Sequence, residues 1–270
     1  MRAPAIALAI LLPATAHAAD LAYKALPPPP PVVCVWCGFY LGINGGYGWG
    51  NGNVVASGLD LNTQNIFKAA TFAGIPLGLN DSLSGGEAGA QFGYNLVFGP
   101  LVLGAVADAQ WADISGRNNG LFKINNFSTL TDQVRQRIDG FGTVRGTLGC
   151  ACGTWEPYVT AGAVVADVDT TGNASITTSR VANLTAAPST LAFNAQTNSD
   201  QLRGGWVWGG GVKWQPLPFW SVGIEYLNLN LGTVHQLMTP AGLDIDVASR
   251  FNSINVVRLE VDYHFPVTHP

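Results

Sequence analysis

From Gly38 onward the chain repeatedly alternates apolar and polar residues with a period of two, the mark of strands whose faces meet different surroundings. Eight such segments fall at about 38–50, 86–97, 101–112, 135–148, 155–167, 204–215, 219–229 and 253–265. The last shows the pattern plainly: Val257, Leu259, Val261, Tyr263 and Phe265 on one parity face Arg258, Glu260, Asp262 and His264 on the other. Among the residues that define the segments, the charges read as luminal all fall on the second parity: Glu87, Asp108, Arg137, Asp139, Arg145, Lys213, Glu225, Arg258, Glu260 and Asp262. The apolar residues of the first parity place their aromatics toward the segment ends: Phe39, Trp49, Trp111, Trp206, Trp208, Trp214, Trp220, Tyr263 and Phe265. A slip of one residue would move charges onto the apolar face, so the register is strongly specified.

The connections alternate in length, at about 35, 3, 22, 6, 36, 3 and 23 residues. In an up-and-down sheet every second connection lies on the same side. Four long loops then share one end, and three short turns share the other end with both termini. The short turns carry Gly99-Pro100 and Pro216-Leu217-Pro218, which suit tight reversals. Short periplasmic turns, long extracellular loops and aromatic girdles are the habit of outer-membrane barrels. The pattern therefore predicts an all-β, eight-stranded antiparallel up-and-down transmembrane β-barrel. A soluble ligand-binding barrel would also alternate, but with apolar residues inward and charges outward. The sparse, glycine-rich polar parity suits a lumen better than a solvated coat.

Composition sharpens the assignment. Hydrophobic residues make up 47% of the 270 and charged residues only 11%, against about 25% charged in ordinary soluble domains. The 33 glycines follow no G-X-Y period, which excludes a collagen-like chain. A formal charge of −4 gives no basic footprint for nucleic acid.

Residues 1–18 read as a signal peptide: Arg2, an apolar run, then Ala16-His17-Ala18 as a cleavage signature. That run is shorter than the roughly 20 residues a spanning helix needs. Residues 19–36 form a periplasmic N-terminal tail in which Pro27 to Pro31 impose a stiff polyproline spacer. The barrel occupies 37–265 and a short extension 266–270. An exported chain of this kind is expected in a bacterial outer membrane.

Ala19-Asp20-Leu21, the proline-rich tail and Trp36-Cys37-Gly38-Phe39-Tyr40-Leu41-Gly42 resemble the start of the small porin-like outer-membrane immunogenic proteins, OmpA-type barrels of Gram-negative bacteria. Gly142 to Gly149 is similar to that family's fourth strand, Val222 to Tyr226 to its penultimate strand, and Val257 to Phe265 to its closing strand. The resemblance implies an eight-stranded barrel in the outer membrane with a structural, surface-antigen or small-porin role. Such chains usually end on a terminal Phe read by the insertion machinery, whereas here Phe265 is followed by Pro266 to Pro270.

An eight-stranded barrel is just wide enough for side chains to fill it. The charged parity is thus expected to pair into a network that plugs the lumen, with Arg145 and Arg258 bonded to carboxylates such as Glu225 and Glu260. The alternative is a narrow polar path for ions and small solutes, favoured by luminal glycines such as Gly42, Gly46, Gly48, Gly209 and Gly211. Cys34, Cys37, Cys150 and Cys152 all map to the periplasmic side, where disulfides are the default, in any of three connectivities. No Ser/His/acid set gathers in one place, no cofactor is called for, and no enzymatic role is expected. The long loops could meet a surface ligand, and the first contains an apolar stretch with Phe72, Ile75 and Leu77. The remaining partners expected are outer-membrane lipids, lipopolysaccharide and the barrel insertion machinery.

Overall fold

The computed structural model describes residues 34–61, 64–65, 68, 78–125, 128–179, 190–238, 245–251 and 253–266. The signal peptide, the polyproline run, Phe72, Ile75, Leu77 and residues 267–270 lie outside these.

The first six strands are β1 (Gly38–Gly58), β2 (Gly78–Phe98), β3 (Leu101–Asn125), β4 (Ser128–Cys150), β5 (Trp155–Ser179) and β6 (Thr190–Leu217). They are followed by β7 (Trp220–Asn230), β8 (Gly232–Met238), β9 (Ile245–Phe251) and β10 (Ile254–His264). Neighbours pair antiparallel in the order β1 to β7, then β10, and β10 returns to β1 through pairs such as Gly42↔Asp262 and Tyr47↔Val257. The ring has eight strands and no free edge, so every stave can cross lipid with its backbone groups satisfied. The tight ends are turns at Gly99, Gly153 and Phe219, each with positive φ. Glycine adopts that conformation freely; Phe219 holds it between Pro218 and Trp220.

Most strands are longer than the sequence pattern predicts. A crossing needs about 9–11 residues, whereas β3 and β5 each run for 25 and β6 for 28. The surplus carries hairpins well beyond the membrane at the long-loop end. The stretch read as the fourth loop contains the β8–β9 hairpin, and β9 adds itself to the outer part of β1 from Asn53↔Arg250 to Gly58↔Ile245.

Outward residues are apolar where the sequence places them: Ile43, Trp111, Val144, Val159 and Leu259 are all exposed. Eight of the nine girdle aromatics are exposed as well, and Tyr263 packs edge-on against Trp220 and Phe265. Trp49, Trp111 and Trp206 lie toward the long-loop end. Phe39, Trp214, Trp220, Tyr263 and Phe265 lie at the turn end, joined there by Trp155 stacked on Trp214. Phe39 and Trp49 sit ten residues apart on β1. At about 3.3 Å per residue and a tilt near 40° they span about 25 Å, the height of an apolar barrel band. Val144 sits between the two levels, opposite Ala107 and Ala163. Val144→Arg is expected to cost about 2–4 kcal/mol in a bilayer, read by urea unfolding in lipid vesicles, with Val144→Ala nearly silent. Equal effects of the two changes would contradict a lipid-facing position.

Candidate functional site

The interior is built in two layers. At mid-height, four staves contribute charges that meet across the bore. Arg145 on β4 donates through Nη1 to Glu225 Oε1 at 2.6 Å and through Nη2 to Asp108 Oδ2 at 2.7 Å. Arg258 on β10 donates through Nε to Glu225 Oε2 at 2.8 Å and through Nη2 to Asp108 Oδ2 at 3.3 Å. Thr143 adds a hydroxyl bond to Asp108 at 2.6 Å and accepts from Arg145 Nε at 2.9 Å. In an eight-stave ring β3 faces β7 and β4 faces β10. The Arg145–Glu225 and Arg258–Asp108 pairs therefore reach between opposite sides of the barrel rather than along one wall. All four side chains are at most 2% exposed.

A second cluster lies one step nearer the turn end. Lys213 Nζ is 2.7 Å from Asp262 Oδ2 and 3.6 Å from Glu260 Oε1. Gln91 Nε2 donates to both carboxylates at 2.7 Å, and Tyr158 Oη donates to Glu260 at 3.0 Å. The Lys213 ammonium also lies 4.4 Å from the Tyr40 ring centroid. The space left among Tyr40, Gln91, Glu156 and Lys213 amounts to about 10 Å³, room for about one water molecule. Trp36 and His264 stack over this end edge to face, and Trp36 Nε1 donates to Gly153 O at 3.1 Å.

Toward the long-loop end the interior turns apolar. Leu83, Ile114, Ile138, Val164, Val168, Val207, Leu227, Leu229, Ile254 and Val256 are buried in one cluster, with Phe251 of β9 packed among them. The Arg203 guanidinium lies 4.9 Å from the Phe251 ring centroid.

Eight of the ten predicted luminal charges face the bore and are buried: Glu87, Asp108, Arg145, Lys213, Glu225, Arg258, Glu260 and Asp262. Arg258 shares Glu225 with Arg145, while Glu260 belongs to Lys213. Arg137 and Asp139 correct the sequence reading, because they stand on the outer wall. The register of β4 against β5 jumps from Ile138↔Val168 to Gly140↔Asp167, so Asp139 is an extra residue and the alternation inverts there. Beyond the bulge Gln136 and Ile138 point inward, and Arg137 pairs outside with Asp139 at 2.6 Å and Asp113 at 3.2 Å. The luminal glycines also differ from expectation. A side chain at Gly42 would meet the Asp262 carboxylate, at Gly46 the Arg258 Cβ, at Gly48 Ile114 and at Gly211 the Tyr158 hydroxyl. They make room for neighbouring side chains.

Among the described residues, two interior charges escaped the sequence reading. Glu156 lies on the same parity as Tyr158 in the segment with the faintest alternation, and Arg203 immediately precedes the sixth segment. Both are buried. Ser221 and His264 also come together, with Oγ and Nε2 at 2.9 Å, although they are far apart in sequence. Among the described residues no acid bonds His264 Nδ1, and the pair packs under Trp36.

Of the four cysteines, Cys34 and Cys37 form a disulfide at the periplasmic rim. Cys150 and Cys152 are thiols and correct the expectation of a second bridge. They flank Ala151 in the β4–β5 turn, where the Cys152 amide bonds to the Cys150 carbonyl, and a hydrogen bond to Cys152 pushes the Cys150 thiol up. Alkylation of the folded protein without reductant should label Cys150 and Cys152 and leave a Cys34–Cys37 linkage in the peptide map.

A closed ring of eight tilted staves, apolar outside between aromatic levels and ionic inside, defines an outer-membrane β-barrel. No family model matches the chain. It is 26% identical over 234 residues to the 31 kDa outer-membrane immunogenic proteins of Brucella melitensis and Brucella suis, covering 85% of this chain and 84% of each relative. Solved structures with overlap include OprG of Pseudomonas aeruginosa, with a TM-score of 0.42 at 10% identity over 85% of this chain and 97% of that one. Ail of Yersinia pestis gives 0.30 at 11% identity over 84% and 99%. The chain is an outer-membrane β-barrel protein, similar in sequence to the outer-membrane immunogenic proteins of Brucella.

Proposed function

We propose that the protein is a closed scaffold of the outer membrane that presents its long hairpins at the cell surface, with a structural and surface-antigen role and no catalytic one. The observation that carries this reading is the pair of arginines bonded across the bore, backed on the long-loop side by an apolar layer. An isolated buried ion costs several kcal/mol, so these charges stay in place as a bonded unit. Its partners in this reading are outer-membrane lipids and lipopolysaccharide on the outer wall, and the insertion machinery during assembly. The name of the Brucella relatives, immunogenic proteins, agrees with surface display.

The test is swelling of proteoliposomes in small sugars. Rates equal to those of protein-free vesicles are expected. Swelling that rises with protein content would favour the alternative, a small passive porin.

A further inference from the structure

We propose that the outer wall of the β3–β4 hairpin binds the phosphate groups of lipopolysaccharide between Arg117 and Arg135. This rests on the reading of the protein as an outer-membrane scaffold and names the lipid-binding place on it. Arg117 and Arg135 are direct cross-strand partners, so their side chains leave the same face of the sheet, and both are exposed. Like charges placed directly opposite destabilise a strand pair. Among the described residues neither arginine has an acidic partner within ion-pair range. One step below, Asp113 and Asp139 engage Arg137, not Arg117 or Arg135.

Asn119↔Gln133 is the second rung above and Thr171 faces Arg135 on β5, while the charged rung below sets Asp169 opposite Arg137. The position matches a lipid headgroup. Arg117 lies six residues beyond the girdle residue Trp111 on β3, toward the long-loop end. That is about 20 Å along the strand and about 15 Å along the barrel axis at a tilt near 40°. The outer leaflet places its phosphorylated sugars on that side of the apolar band. Guanidinium groups bind phosphate in a planar, two-point fashion, and an anion between the two would relieve their mutual repulsion.

The experiment uses the full-length folded protein in a zwitterionic detergent. It measures retention of purified lipopolysaccharide by wild type and by the Arg117→Gln/Arg135→Gln double variant, with dephosphorylated lipopolysaccharide and inorganic phosphate as the other arms. The double variant is expected to bind phosphorylated lipopolysaccharide about tenfold more weakly, the loss of roughly one strong charge-assisted contact. Dephosphorylated lipid should bind wild type and variant alike. Without lipid, the variant should melt no lower than wild type, because a repulsive pair has been removed; a lower midpoint would indicate a purely structural role and overturn the proposal. Equal retention by both proteins would also overturn it, as would inorganic phosphate displacing the lipid at equal concentration. None of these outcomes bears on whether the lumen conducts, so the scaffold reading stands or falls separately.

Discussion

Arg145→Ala is expected to lower the stability of the folded barrel by about 3–5 kcal/mol, the cost of breaking a buried ion pair from one side. Arg145 holds Glu225 and Asp108, both fully enclosed, and its loss leaves Arg258 alone against two carboxylates. The measurement is reversible urea unfolding in lipid vesicles, followed by tryptophan emission and by heat-dependent gel mobility. Arg145→Met combined with Glu225→Leu should recover a large part of the loss, because replacing a whole buried pair with apolar residues of similar volume is often neutral. A loss below about 1 kcal/mol for the single variant would place the pair in water, where ion pairs contribute that little.

The second large effect is expected at Leu227→Ala. Leu227 is fully buried on β7 in the apolar layer, and β7 is one of the staves to which the arginines are anchored. Removing its isopropyl group should cost about 2–5 kcal/mol, depending on how far the neighbours collapse. The same variant should remain impermeable, since the ionic layer beneath it is intact. A leak produced by Leu227→Ala would mean that the apolar layer is the seal and the ionic layer is wet.

The barrel was legible because membrane crossing enforces strict alternation, and charges such as Arg258, Glu260 and Asp262 show which parity is luminal. The aromatic levels and the ordering of short and long connections were legible for the same reason. The inversion at Asp139 was not, since Ile138 is apolar and turns into the apolar interior layer, so the apolar–polar pattern of the sequence runs on through the bulge. The expectation for Arg137 and Asp139 therefore failed together. The apolar layer was half visible: Leu227, Leu229, Ile254 and Val256 stand on the luminal parity, where the absence of charge could have signalled a dry plug. Which carboxylate each arginine takes was out of reach, because Arg145 and Glu225 meet across the ring and not along neighbouring strands. The unbridged state of Cys150 and Cys152 follows from a local turn that composition and compartment do not describe.

The central claim is that the bore is closed by side chains from opposite walls. Single-channel recording in a planar bilayer tests it most directly, with insertion and folding verified by heat-dependent gel mobility of the same sample. The account predicts a silent membrane for wild type across the usual range of applied voltage. Discrete, reproducible conductance steps from the folded protein would contradict it.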